Sequence, residues 1–337
     1  MPGEIRKLNA LRGLAALVVL VAHFSGATGW LGDYPGRGAG QLGVMLFFVL
    51  SGFLMGHLYL DRRFDRAALR RYVVARFARV VPLFAVVIAA SIVLPRLGVT
   101  GVFYDLPTPQ LIASHLTTLS GKSILWTIPT ELHFYAAFVV LWLIFARSKR
   151  AGTLLAVGLI VAVVAADFPR FRGETVRMIP YDLRLAQVVP YFLAGVLLAR
   201  LYHNPDTRRW QHPAFASVLL VIPLMYPSIF EELFGYRHGL WNDVLVLVVV
   251  AGVFAVVLFA VPDTPGVLVN RLGDELGRIS YSLYLLHVPV MWLVRQVEVP
   301  NTIGFVVFLG LSLLVASAAF RLFELPMQRM LRSRLLG

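Results

Sequence analysis

Apolar windows of about twenty residues recur along the whole of this chain, and that is the length an α-helix needs to cross the ~30 Å hydrocarbon core of a bilayer. Ten are legible, at about 8–28, 42–60, 79–98, 128–146, 153–168, 185–202, 214–230, 240–262, 278–297 and 303–323. The chain is 58% hydrophobic and 15% charged, with a mean hydropathy of +0.76, far from the usage of a soluble domain. The fifth window is short, and 110–122 offers a further re-entrant or interfacial helix. The first window is too long for a signal peptide's apolar region and lacks a small-residue cleavage site, so it is expected to stay. Neither a soluble domain nor a low-complexity tract nor an internal repeat interrupts the pattern. The expectation is an all-α polytopic membrane protein with about ten transmembrane helices in one bundle, residues 1–337 forming a single domain.

Charge placement suggests an orientation. With the N-terminus inside, the segments on the cytoplasmic side of a ten-span chain hold 22 of the 31 Lys and Arg residues, so the positive-inside rule predicts both termini in the cytoplasm. The net charge of +13 then reflects short loops beside anionic lipid rather than a nucleic-acid partner. Cysteine is absent, which excludes disulfides, thiolate metal sites and a cysteinyl acyl-enzyme. Neither a zinc-protease helix motif, a P-loop nor a dinucleotide fingerprint is present, and no metal or bound nucleotide cofactor is indicated.

Against this apolar background the ionisable residues are informative, because charge at membrane depth is costly and usually faces a protein interior or a wet cavity. Arg12 and His23 are eleven residues apart on the first window, about 16 Å of rise with ~20° of rotation, so they share one helix face. A snorkelling arginine with a packed histidine is one reading, and a functional pair is the other. The basic loop from Asp61 to Arg71 reads as lipid anchoring. Arg76 and Arg79 share a face at i,i+3 and suit either lipid anchoring or a bidentate grip on phosphate. The fourth window opens with Trp126-Thr-Ile-Pro-Thr-Glu131-Leu-His133-Phe-Tyr135. Glu131 is predicted near the depth of His23, where it can orient an imidazole or, with His133, cap a helix start. Tyr135 lies one turn further on. In the ninth window Ser280, Tyr284 and His287 recur at helical spacing as one polar stripe, open to substrate or to buried structural hydrogen bonds, and Pro289 is expected to kink the helix.

Taken together and in order, these segments resemble acyltransferase family 3, the membrane acyltransferases that decorate O-antigen, other envelope glycans, Nod factors and macrolides. The resemblance runs through Leu8-Asn-Ala-Leu-Arg12-Gly-Leu-Ala-Ala16 with His23, Phe47-Phe-Val-Leu-Ser-Gly-Phe53, Arg76-x-x-Arg79-x-x-Pro82 and Trp126-Thr-x-x-x-Glu131-x-x-Phe-Tyr135. It closes with Ser280-Tyr-Ser-Leu-Tyr-Leu-Leu-His287-x-Pro289 and Glu324-x-Pro326. Asn9 stands where the family often has Asp, and Thr127 where it often has Ser. The fused SGNH-type domain of many relatives is not expected here.

The resemblance implies a bacterial cytoplasmic (inner) membrane enzyme. It would move an acyl group, acetyl or another short chain, from cytoplasmic acyl-CoA to a hydroxyl of a sugar, glycolipid or glycosylated small molecule. In that reading His23 is the general base and Glu131 the group that orients it. Arg12, Arg76 and Arg79 receive the coenzyme A phosphates, while Tyr135, Ser280, Tyr284 and His287 contact substrate. Asp105, Asp167, Asp182 and Trp241 are looser candidates in loops facing the acceptor. Acyl-CoA is a substrate, and no permanently bound cofactor is expected. A proton-coupled exporter or flippase of a glycolipid is the alternative, since intramembrane His and Glu suit proton coupling; the arginine trio argues against it.

Overall fold

The computed structural model describes residues 4–99, 101, 103–104, 106–208 and 210–336; Asp105, one of the loop candidates, lies outside them. The helices are α1 (Lys7–Thr28), α2 (Gly40–Tyr59), α3 (Arg66–Arg96), α4 (Pro109–Leu116), α5 (Thr127–Arg147) and α6 (Lys149–Ala165). After a two-stranded antiparallel hairpin, β1 (Phe171–Glu174) and β2 (Pro180–Leu183), come α7 (Leu185–Tyr202), α8 (Val221–Leu224), α9 (Pro227–Phe234) and α10 (Val244–Ala260). The chain ends through α11 (Arg271–Val294), α12 (Asn301–Ala319) and α13 (Leu325–Leu336).

The expectation of about ten spans is not met. Among the described residues six helices are long and apolar enough to cross a bilayer, or seven if one bent pair counts as a single span. They contain α1, α2, α3, α5, α7 and the run from α12 through α13. Four of the ten windows fall short for distinct reasons. α6 and α10 have 17 residues each, about 25 Å of helix against a ~30 Å core. The window 214–230 is broken: Pro223 and Pro227 flank a bend of 88° between Pro213–Leu224 and α9, because proline removes the amide that would continue the ladder. α11 is long enough at 24 residues, but its first turns carry Arg271, Asp274, Glu275 and Arg278. The argument placing both termini in the cytoplasm rested on ten spans and falls with that number.

Contacts divide the chain into two compact units, each discontinuous in sequence. The first comprises Met1–Asp61, Arg147–Phe168 and Gln187–Ser280. Its helices meet at glycines: a β-carbon at Gly43 would collide with the Ala15 carbonyl of α1, one at Gly52 with the Phe192 carbonyl of α7, and one at Gly195 with the Val49 carbonyl of α2. The start of α11 lies as close to α1, since a β-carbon at Gly13 would sit 2.5 Å from Leu276 Cβ. Lys7 is buried and donates from Nζ to the carbonyls of Leu258 (2.7 Å) and Val261 (2.5 Å), closing the C-terminal end of α10 where a cation suits the helix dipole. Asp61, after α2, pairs with Lys149 at 2.8 Å and with His203 Nδ1 at 2.7 Å. The Lys149 hydrogen bond, with the charges of His203 and Arg200, outweighs burial and holds the Asp61 carboxyl below its usual range.

The second unit comprises Arg62–Ala146, Pro169–Ala186 and Tyr281–Gly337. Asp65 caps α3 by accepting from the Ala68 amide at 2.8 Å, the usual N-cap geometry. α3 is then tied to its neighbours by two buried phenols: Tyr72 donates to the Tyr135 carbonyl at 2.8 Å and Tyr281 to the Val80 carbonyl at 2.6 Å. Between α12 and α13 the helix passes through one π-turn, Phe320–Glu324, a geometry common at functional sites.

Candidate active site

In the first unit, Arg12 and His23 stand on one uninterrupted helix, and both are half-buried. The helix is held around them by the glycine contacts to α2 and α11. Just before Arg12, Asn9 donates from Nδ2 to Asp274 Oδ1 (3.2 Å) and to Glu4 Oε1 (2.8 Å). Asp274 is already bound by Arg6, with Nε at 3.1 Å and Nη2 at 2.5 Å from Oδ2. The amide at position 9 is thus a donor between two carboxylates, which gives a physical reason for Asn rather than Asp at this place. Ser280, also in this unit, is buried, and its hydroxyl donates to the Gly277 carbonyl at 2.9 Å.

The second unit gathers Arg76, Arg79, Glu131, Tyr135, Tyr284 and His287. Tyr135 donates its hydroxyl to Glu131 Oε1 one turn earlier on α5, and the Arg76 guanidinium stands 5.9 Å from the Tyr135 ring centroid. A guanidinium on an aromatic face gains from the ring quadrupole. Tyr135 thus stands between Arg76 and the Glu131 carboxylate. Arg76 and Arg79 are half-buried on α3, with Pro82 inside the helix just beyond.

Around this cluster α11 supplies structural bonds. The Tyr284 hydroxyl donates to the Ile124 carbonyl (3.1 Å) and accepts from Thr127 Oγ1 (3.2 Å), fixing the start of α5. His287 is fully buried, with Nδ1 2.7 Å from the Tyr284 carbonyl. Two residues that sequence reasoning passed over matter here. Ser282 donates to Glu324 Oε2 at 2.7 Å, and Gln328 to Glu324 Oε1 at 3.0 Å, inside the π-turn. The predicted stripe selected Ser280 by spacing; Ser282 lies on another face and no local signal marks it.

The hairpin supplies a second polar group. Asp182 is bound by Arg170 (Nε to Oδ1, 2.7 Å; Nη2 to Oδ2, 2.6 Å) and by Arg184 (Nε to Oδ2, 2.9 Å). Burial would raise its carboxyl, yet the two guanidiniums outweigh burial and hold it below the usual range. Asp167 and Trp241, the other loop candidates, belong to the first unit. Among the described residues no group of three His, Cys, Asp or Glu side chains is placed to hold a metal ion.

The family model described as an acyltransferase domain matches residues 5–322. The chain belongs to acyltransferase family 3. Among relatives, the putative acetyltransferase ORF330 of Acidianus two-tailed virus is 27% identical over 317 residues, covering 88% of this chain and 84% of the viral protein. Nodulation protein 10 of Rhizobium leguminosarum bv. viciae is 28% identical over 326 residues, 86% of this chain and 83% of that protein. The peptidoglycan O-acetyltransferase OatA of Listeria monocytogenes is 22% identical over 365 residues, 96% of this chain but 56% of the longer protein. No solved structure matches the chain. As a member of acyltransferase family 3 with several membrane-length helices, it is a multi-pass membrane acyltransferase.

Proposed function

We propose that the protein transfers a short acyl group, acetyl first among candidates, from acyl-CoA to a hydroxyl of a sugar or glycoconjugate at a bacterial inner membrane. The observation that carries the reading is the assembly of half-buried Arg76 and Glu131 on the buried Tyr135 in a chain of this family. A cation on α3, of the type that takes a phosphate, and a carboxylate on α5 meet the same tyrosine side chain, and these are the kinds of group a thioester-dependent transfer uses. The acetyl and O-acetyl activities named for the relatives support the acyl group and an oxygen acceptor.

His23 is the general base. It takes the proton of the acceptor hydroxyl as the oxygen attacks the thioester carbonyl; the carbon–sulfur bond breaks, and the imidazolium returns the proton to the departing thiolate. One ester and one free coenzyme A thiol result. Glu131 is the second catalytic group, its carboxylate fixed by the Tyr135 hydroxyl. Arg12, Arg76 and Arg79 take the donor phosphates.

The test is coenzyme A release from acetyl-CoA and longer acyl-CoAs by protein in nanodiscs. His23→Ala should cost about 10²–10⁴-fold in turnover with the melting temperature kept. Arg76→Ala should raise the donor KM; an unchanged KM removes Arg76 from the donor site. If the two catalytic groups act in one step, Glu131→Gln added to His23→Ala costs little more than either alone, whereas independent losses would multiply.

A further inference from the structure

The hairpin cluster of the second unit has charge to spare. Asp182 is the one acceptor that either Arg170 or Arg184 meets among the described residues. Two guanidiniums therefore share a single carboxylate, and the cluster keeps a net positive charge. It remains reachable from solvent, with 33% of the Arg170 side chain and 20% of that of Arg184 exposed. It is also rigid. The Arg184 guanidinium lies 4.4 Å from the Trp126 ring centroid, and the Asp182 amide donates to the Leu119 carbonyl at 3.0 Å.

The position matters as much as the charge. Trp126 directly precedes α5, whose Thr127 is held by the Tyr284 hydroxyl, and Glu131 follows five residues later, about 7.5 Å along a helix. A planar donor fork, oriented by a carboxylate on one edge and an indole on one face, is the arrangement that binds a carboxylate or phosphate oxygen.

We propose that Arg184 is a specificity-determining residue that takes an anionic oxygen, carboxylate or phosphate, of the sugar acceptor. The proposal rests on the sugar-acceptor reading above. A hairpin staple without ligand is the competing role for the same bonds, and the two make different predictions.

Binding, not turnover, tests it. Methyl β-glucuronide, glucose 1-phosphate and the neutral methyl β-glucoside are titrated calorimetrically into nanodisc protein without acyl-CoA. The wild type should bind at least one of the anionic sugars about tenfold or more tightly than the neutral one, the size of one charge-assisted contact; the two anions separate carboxylate from phosphate. Arg184→Gln should bring the anionic sugars down to the neutral level and leave the glucoside unchanged. Arg184→Lys, which keeps the charge, should retain part of the preference, and Arg172→Gln on the same hairpin all of it. No binding by the wild type, equal affinity for all three sugars, or equal weakening of all three by Arg184→Gln overturns the proposal. Arg184-dependent binding of a sugar that is never acylated when acyl-CoA is supplied would instead count against the acyl-transfer reading and leave the subsite standing.

Discussion

At position 9 the amide of Asn9 is set between two carboxylates, and its surroundings show what exchanging it for a third would do. The Asn9 amide donates toward Asp274 and Glu4, so Asn9→Asp would set a third carboxylate among two and turn attraction into repulsion. The substitution should cost about 1 kcal/mol, the scale of one lost hydrogen bond, read as a lowered denaturation midpoint in detergent. A midpoint equal to wild type would show that the amide is not what holds α1 to the start of α11. Residues on a single helix were legible in the sequence, because the α-helical repeat alone places Arg12 and His23 on one face and Tyr135 one turn from Glu131. Partners far along the chain were not. Ser282 meets Glu324 across 42 positions, and the pairing of Arg184 with Trp126 depends on how a hairpin folds back over the start of α5.

Among the elements, two predictions follow from packing and protonation. The crossing of α2 and α7 leaves no room for a side chain at Gly52 or Gly195, so Gly52→Leu should destabilise by about 1–3 kcal/mol or more, as overpacking does. Normal thermal stability of that variant would contradict the close approach. The turn after α4 depends on a neutral histidine. His115 is fully buried; Nδ1 lies 2.8 Å from the Leu111 carbonyl, and Nε2 accepts the Lys122 amide at 2.8 Å. Burial lowers its pKa below the usual value of 6.5, so the folded state favours the neutral ring. The stability it contributes is complete above about pH 6.5 and is lost as the pH falls through the lowered folded value. Hydrogen exchange at residues 117–122, corrected for intrinsic rates, should be faster at pH 5 than at pH 7.5, and His115→Asn should remove that difference. Equal protection at both values in the wild type would show that the ring does not hold the turn. The loop here is strained as well, with Thr118 and Ser123 at φ 58° and 52°, a region unfavourable to side chains.

For the molecule as a whole, hydropathy gave the class but overcounted the spans. A sliding window does not see that Pro223 and Pro227 bend a segment by 88°, or that helices end early, after 17 residues in α6 and α10 and at Val294 in α11. The hairpin of residues 171–183 was equally hidden, because strands of four residues carry too little alternation to read. The site motifs do not depend on this count, because each is local. Family membership adds the chemistry that geometry alone does not specify, and what remains to be tested is the role of His23. The most direct measurement is single-turnover transfer from acyl-CoA, wild type beside His23→Ala, in the same nanodiscs and at matched melting temperature. The account predicts a loss of about 10²–10⁴-fold in the chemical step with donor affinity preserved. A variant that transfers at the wild-type rate would contradict it.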